Sequence, residues 1–203
     1  MTTPLRLAEI ISARLCHDLA GPSGTLAATL ELVAEGGADA ADALDIAREA
    51  ALSLQSRLRF IRAAWAEEGV ELDADEIRET CAGLPAARKI GFKFEGLTGY
   101  FDPPMSRGLL NLVMLAMEAL PRGGTIRLIG NQEAGAIISI EGRDAAWPAG
   151  LDSLLVDDEA AWRAVRDARS LLAPLTALIL RASGLELQIL AGATPPSLRL
   201  TTP

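Results

Sequence analysis

Apolar and small side chains recur at alternating steps of three and four residues through the N-terminal third of this chain. A period near 3.5 residues is typical of helices that pack side by side in a bundle. Gly36-Gly37 interrupts the period once, so we predict one helix over about Pro4–Glu35 and a second, capped by Asp39 or Asp42, ending near Ala66. A connection this short makes the two helices antiparallel neighbours.

Each predicted helix has a seam of positions that should face a neighbouring helix. The seam of the first helix comprises Leu5, Ala8, Ser12, Leu15, Leu19, Pro22, Leu26, Thr29 and Val33, and that of the second comprises Leu44, Ala47, Ala51, Leu54, Leu58, Ile61 and Trp65. Because two helices alone bury little surface, we expect the hairpin to pair with a second copy in a homodimeric four-helix bundle. The alternative is that residues 70–203 cover the seam within one chain.

The rest of the chain alternates between helical and strand-like segments. We predict strands near 70–72, 89–94, 124–130, 135–141, 186–190 and 197–200, with helices near 74–82, 104–120, 159–167 and 170–182. A mixed sheet covered on one face by helices is the natural packing of these elements. The predicted fold class is therefore α+β: a helical hairpin domain over residues 1–68 and an α/β sandwich domain over residues 69–203.

Composition excludes several classes of protein. The chain has 203 residues, of which 50% are hydrophobic, so it can bury a substantial core. A net charge of −8 argues against a nucleic-acid partner. No signal sequence or membrane-spanning apolar run is visible, and Cys16 and Cys81 have neither metal-ligand nor disulfide-framework spacing. We therefore expect a cytoplasmic protein with reduced thiols, no membrane association and no metal site.

His17 is the sole histidine of the chain and precedes Asp18. It lies two residues from both Leu15 and Leu19, or about 200° around a helix, so it should point away from the seam into solvent. The neighbours expected on its face are mostly small, namely Ala13, Arg14, Ala20, Gly21 and Gly24, with Ile10 and Ala28 beyond them. This face leaves room for another protein, and Pro22 should bend the helix one turn further on.

The segment His17-Asp18-Leu19-Ala20-Gly21-Pro22 resembles the phospho-acceptor box of sensor histidine kinases, and the hairpin resembles their dimerisation domain. Residues 110–124 are similar to the helix and turn that carry the metal-binding asparagine of the kinase ATPase domain, and Ala182-Ser183-Gly184 resembles the end of that domain. The resemblance implies a fold of the Bergerat ATPase type.

The nucleotide chemistry of that family is missing. Leu115 stands where the kinases place a second metal-binding asparagine, and leucine cannot ligate a hard cation. Residues 142–147 lack the D-x-G-x-G spacing that reads adenine, leaving Asp144 as an isolated acid, and residues 168–177 contain no glycine to cradle phosphates. We therefore expect neither ATP nor any other cofactor to bind.

A phosphotransfer hairpin joined to a degenerate ATPase domain resembles the ChpT-type histidine phosphotransferases. The resemblance implies a phosphotransferase that relays a phosphoryl group between response-regulator receiver domains through His17, as a homodimer, in a two-component phosphorelay. Asp18 is expected to orient the imidazole ring, and magnesium to come from the receiver. A divergent ATP-using kinase and a non-catalytic dimeric adaptor for receivers remain alternatives. Gly21 cannot position a hydrolytic water, so the phosphoryl group should be conserved rather than released.

Antiparallel geometry places His17 level with about Arg57. Arg57, Arg59 and Arg62, with Arg14 one turn away, therefore form a candidate basic band that would meet the acidic pocket of a receiver. The alternative is an ordinary solvated helix face. Phe60, within this band, is either a docking anchor or a residue that packs on the second domain.

Overall fold

The computed structural model describes residues 3–37, 39–66, 69–84 and 89–203. The helices are α1 (Pro4–Glu35), α2 (Ala40–Trp65), α3 (Ala74–Ala82), α4 (Pro103–Glu118), α5 (Leu151–Val156), α6 (Asp158–Ala164) and α7 (Leu172–Ala182). The strands are β1 (Leu72–Asp73), β2 (Ile90–Lys93), β3 (Tyr100–Phe101), β4 (Gly124–Asn131), β5 (Gly135–Glu141), β6 (Glu186–Leu190) and β7 (Ser197–Thr201). No helix in the described ranges combines the length and the apolar character needed to cross a membrane.

Helices α1 and α2 form the predicted hairpin. The Thr3 side chain accepts a hydrogen bond from the backbone N–H of Arg6, and Pro4 occupies the first turn, where its missing N–H costs nothing. Gly36 ends α1 with a φ of 67°, a conformation that glycine adopts without strain. Asp39 is the N-cap of α2, although its side chain makes no capping hydrogen bond.

The buried face of α2 agrees with the predicted seam at Ala47, and its other positions lie one residue before the predicted ones. The buried residues of α2 are Ala43, Ala47, Ala50, Phe60 and Ala64. Leu44 and Leu58 of the predicted seam are 37% and 48% exposed. Alanines permit close approach of the two helices, so the hairpin packs through its alanine face. Successive side chains of a helix point about 100° apart, so the leucine face of α2, which carries Leu44 and Leu58, is left uncovered in the single chain when the alanine face is buried.

The second domain is built on a five-stranded sheet of order β2-β4-β5-β7-β6, in which only the β2–β4 pair is parallel. Alternate residues of the central strands, such as Ile126, Leu128, Ile138 and Leu198, are buried beneath the helical layer. Helix α4 supplies most of the opposing surface, and Asp102 caps it by accepting from the N–H of Met105. This is the mixed sheet with one helical face that the sequence predicted.

Two short elements were not predicted. Strand β3 pairs with β1 over only two residues, and α5 is a six-residue helix that begins after Gly150 in the left-handed region. Both are too short for hydrophobic periodicity to reveal. By contrast, α3 has the predicted bounds, because Asp73 and Glu76 form a capping box that fixes its start.

The hairpin rests on the second domain at two places. Phe60 and Ala64 of α2 belong to the main hydrophobic core, and Ile10 of α1 joins a smaller cluster with residues before and within α7. The alternative in which residues 70–203 cover the seam is therefore met only in part: Trp65, at the end of α2, is partly buried against both clusters, whereas Leu5, near the start of α1, is 71% exposed. Leu44, near the connecting loop, is exposed as well.

Candidate functional site

His17 lies midway along the exposed side of α1. Its side chain is 85% exposed, which confirms the orientation inferred from the helical spacing. The ring atom Nδ1 lies 3.2 Å from Oδ1 of Asp18. An ionised carboxylate accepts hydrogen bonds only, so this contact is a hydrogen bond in the tautomer that carries its proton on Nδ1, and in that tautomer Nε2 is the unprotonated nitrogen.

Asp18 connects His17 to a charged network that reaches the second domain. Its Oδ2 accepts a 2.8 Å hydrogen bond from Nε of Arg14. Nη1 of Arg14 in turn donates to the carboxylate of Glu118 at 2.9 Å and to the carbonyl oxygen of Ala168 at 3.0 Å. Burial by itself would lower the pKa of Arg14, but its hydrogen bonds to Asp18 and Glu118 raise that pKa above its ordinary value. The guanidinium therefore stays charged.

Arg57 holds the backbone of Asp18. In a regular helix the carbonyl of Asp18 would accept the N–H of residue 22, but Pro22 has no N–H. Nη1 of Arg57 donates to that carbonyl at 2.9 Å and replaces the missing partner. Helix α1 continues through Pro22. A bend at this proline stays a prediction, and the structure adds that the proline leaves the Asp18 carbonyl open to a side chain of α2.

The surface around His17 is built from small, exposed residues. Ala13, Ala20, Gly21 and Gly24 are all exposed, as predicted from their spacing. A Cβ atom added to Gly21 or Gly24 would meet nothing within 4 Å. Ile10 does not belong to this open face, because it is 3% exposed and packs on the second domain.

The predicted basic band divides into two pairs. Arg14 and Arg57 point inward and are held by the contacts above, so their place in an exposed docking band is wrong. Arg59 and Arg62 are exposed, and neither forms an ion pair with any other residue that the structure describes. Arg57 does lie level with the turn that carries His17, as predicted, but its guanidinium donates to the backbone of Asp18 within the chain.

Phe60 is not a docking anchor. It is 1% exposed and belongs to the main core, which leaves none of its ring available to a partner. The other reading of Phe60, packing on the second domain, is confirmed. The same face of α2 also contacts a cavity of about 280 Å³ between the hairpin and the second domain. Arg14, Asp18, Arg57 and Glu118 line the polar part of that cavity, and Met114, Met117 and Leu172 line part of its apolar wall.

Asn111, which resembles the metal-binding asparagine of the kinases, is used for packing. It is 1% exposed, its Oδ1 accepts from Nε1 of Trp65 at 3.1 Å, and its Nδ2 donates to the carbonyls of Ala64 and Arg107 at 2.7 and 2.9 Å. The amide therefore ties the end of α2 to α4. No cluster of three or more histidine, cysteine or acidic side chains suited to a metal ion occurs among the described residues.

Sequence reasoning missed Glu118 and the carbonyl of Ala168. They lie 104 and 154 residues from Arg14 along the chain, and no spacing rule connects such distant positions. The absence of glycine from residues 168–177 indicated that this segment does not bind phosphate. It did not indicate which residues the segment contacts.

Comparisons with known proteins identify the family of this chain. The family model described as the histidine phosphotransferase C-terminal domain matches residues 74–195. The protein phosphotransferase ChpT of Brucella abortus (strain 2308) is 31% identical over 145 residues, covering 68% of this chain and 69% of that protein. A solved bacterial phosphotransferase, 28% identical, superposes with a TM-score of 0.72 over 98% of this chain and 97% of its own. The chain therefore belongs to the ChpT-like histidine phosphotransferase family.

Proposed function

We propose that His17 is the residue that carries the phosphoryl group as this phosphotransferase acts in a two-component phosphorelay. The observation that supports this most directly is the contact between Nδ1 of the sole histidine and Asp18, on a ring that is 85% exposed. This contact leaves Nε2 free and facing solvent, where a partner domain can reach it.

In the proposed reaction, Nε2 attacks the phosphorus of an aspartyl-phosphate on a receiver domain. A P–N bond forms as the P–O bond to the receiver aspartate breaks, and the aspartate leaves as a carboxylate. The proton on Nδ1 stays between the ring and Asp18, whose negative charge offsets the positive charge of the phosphorylated imidazole. Attack by a second receiver's aspartate on the phosphoimidazole reverses these steps and regenerates neutral His17.

The protein supplies position and charge in this reaction, and the receiver supplies its own magnesium ion. The open face of Ala13, Ala20, Gly21 and Gly24 is flat enough for a receiver to bring its phosphoryl group against the ring. Arg59 and Arg62 are exposed cations of α2, and we assign them to attraction of the acidic receiver pocket. Arg14 and Arg57 act within the chain instead.

The test is reconstitution of the relay with purified protein. Label should pass from one phosphorylated receiver to a second with the wild-type chain, and His17→Ala should abolish the passage. Cys16→Ala is the matched control, since it alters the exposed neighbour of His17 and should transfer normally. Transfer by His17→Ala would assign the phosphoryl group to another residue, and a chain that binds receivers without passing label would be an adaptor.

We also propose that the chain binds no ATP. Support comes from Asn111, which is 1% exposed and whose amide oxygen accepts from Trp65 while its amide nitrogen donates to the carbonyls of Ala64 and Arg107, so that the side chain is turned to contacts within the protein. Incubation with labelled ATP and magnesium should leave the protein unlabelled. Autophosphorylation under these conditions would instead identify a divergent histidine kinase.

The leucine face of the hairpin supports a homodimer in which two hairpins form a four-helix bundle. Large apolar side chains are exposed on both helices of the single chain, including Leu30 of α1 and the pair Leu44 and Leu58, whose fourteen-residue spacing puts them on one face of α2. Leu30→Glu combined with Leu44→Glu should convert the dimer to a monomer in sedimentation velocity. Val156→Glu places the same charge on an apolar side chain of the second domain that is 85% exposed, and should leave association unchanged.

Gly21 supports the proposal that the phosphoryl group is conserved. It stands one helical turn after His17 and offers no side chain to hold a water molecule near the phosphorus. A phosphorylated receiver should therefore release inorganic phosphate at the same rate with or without this protein. We further propose a cytoplasmic location, which suits the free thiols of Cys16 and Cys81.

A further inference from the structure

A continuous set of contacts joins the phosphoacceptor to the second domain. Glu118, at the end of α4, accepts from Nη1 of Arg14, and Nε of Arg14 donates to Oδ2 of Asp18. The other carboxylate oxygen of Asp18, Oδ1, lies against Nδ1 of His17. The side chains of Glu118, Arg14 and Asp18 are half-buried, whereas the imidazole of His17 is exposed.

The orientation of the Asp18 carboxylate towards His17 depends on the contacts that restrain Arg14. A guanidinium that is free to rotate takes both oxygens of a neighbouring carboxylate in a bidentate pair. Here Nη1 of Arg14 donates to the Glu118 carboxylate and to the Ala168 carbonyl, while Nε of Arg14 donates to Oδ2 of Asp18. Oδ1 of Asp18 is therefore left for the imidazole. Arg57 fixes the backbone of the same aspartate through its carbonyl, so the carboxylate cannot turn away by moving the helix.

We propose that Glu118 is a positioning residue for His17: acting through Arg14 and Asp18, it keeps the imidazole in the tautomer whose Nε2 is the nucleophile. This inference rests on the proposed role of His17 in phosphotransfer. It assigns the second domain a part in the chemistry of the hairpin, because α4 sets the reactive state of a ring that it does not touch.

The single histidine makes the tautomer directly measurable. Protein labelled with ¹⁵N-histidine has one pair of ring nitrogen signals, whose shifts report which nitrogen carries the proton. The wild type should show protonated Nδ1 in its neutral form. Glu118→Ala and Glu118→Asp, which remove or retract the carboxylate, should shift the population towards protonated Nε2. Glu118→Gln retains an acceptor oxygen and should preserve most of the wild-type pattern.

Transfer kinetics supply the second readout. Glu118→Ala should lower kcat for transfer from a phosphorylated receiver by about threefold to tenfold, the effect of one lost hydrogen bond, while KM is unchanged. Glu118→Gln should recover most of that loss. In an Arg14→Ala background, Glu118→Ala should have no further effect on kcat, because its action passes through Arg14. Glu95→Ala, which removes an exposed ion pair with Arg127 in the same domain, is the matched control and should change neither readout.

Wild-type ring signals in Glu118→Ala and Glu118→Asp would overturn the proposal, as would a fall in kcat that Gln does not rescue or that persists in the Arg14→Ala background. A shifted tautomer with unchanged kcat would also overturn it, since the tautomer would then not govern transfer. Failure of the proposed function has a different signature, namely normal transfer by His17→Ala. The NMR result does not depend on that outcome.

Discussion

Helix α1 and helix α4 show how differently the two parts of this chain use their surfaces. In α1, two of 32 residues are buried, namely Ile10 and Thr29. In α4, ten of 16 residues are buried. Burial on the scale of α4 is what stabilises a fold, so the second domain supplies most of the stability of the single chain. Helix α1 keeps most of its surface for other molecules.

The two helices meet where Arg14 contacts Glu118. There the buried helix restrains the exposed one, and the chain of contacts ends at the exposed imidazole of His17. The proposed function requires His17 to be accessible to receivers and its ring to be held in one tautomer, and the division between the two helices suits both requirements.

The two cysteines should differ greatly in their reactivity towards a thiol reagent. Burial raises the pKa of Cys81, in the second domain, to about 12, against an ordinary value of 9.0, so its thiolate fraction at neutral pH falls about a thousandfold. Cys16 lies on the exposed side of the hairpin. A thiol reagent at pH 8 should therefore modify one cysteine in the native protein and two after unfolding. Equal rates for both cysteines in the native state would show that the second domain opens readily.

Alanine substitutions at two adjacent residues of α2, Arg59 and Phe60, should have very different effects on the free energy of unfolding. Phe60→Ala creates a cavity in the main core and should lower the free energy of unfolding by about 3–5 kcal/mol in chemical denaturation. Arg59→Ala, on the exposed side of the same turn, should change it by less than about 0.5 kcal/mol. Similar losses for the two variants would mean that Phe60 is not the link between hairpin and core that its 1% exposure indicates.

Pro22→Ala should stabilise the hairpin while weakening the hold on Asp18. The restored N–H would donate to the Asp18 carbonyl in place of Arg57, and removal of an interior proline should raise the free energy of unfolding by about 1–3 kcal/mol. Pro4→Ala is the control, since a first-turn proline costs a helix little. A destabilised Pro22→Ala protein would show that the Arg57 contact contributes more than a regular helical hydrogen bond.

Two substitutions of Gly24 should distinguish an effect on stability from an effect on receiver binding. Gly24→Ala should raise the free energy of unfolding by about 0.5–1 kcal/mol, because alanine favours a helix and its Cβ meets nothing within 4 Å. Gly24→Leu should also fold, yet its larger side chain should weaken receiver binding in isothermal titration calorimetry. Unchanged affinity of Gly24→Leu would place the receiver elsewhere on the hairpin.

Sequence periodicity predicted what depends on local rules and missed what depends on distant contacts. The bounds of α1 and α3 follow from capping residues and glycine, and the exposure of His17 follows from helical angle. Ala47 of the predicted α2 seam is buried, whereas Ala43 and Ala50 are buried in place of Leu44 and Ala51, since a count of apolar residues does not show which of two adjacent positions faces the neighbouring helix. The inward turn of Arg14 could not be predicted, since Glu118 reaches it only through the tertiary fold.

The central claim is that the phosphoryl group resides on Nε2 of His17 during transfer. Its most direct test is to stop the relay after the first step with a phosphorylated receiver and examine the protein by ³¹P NMR and peptide mass spectrometry. We predict one acid-labile phosphoryl group, on the peptide that contains His17 and bonded to Nε2. Phosphate on another residue or on Nδ1, or a relay that proceeds with no phosphorylated form of this chain, would contradict the account.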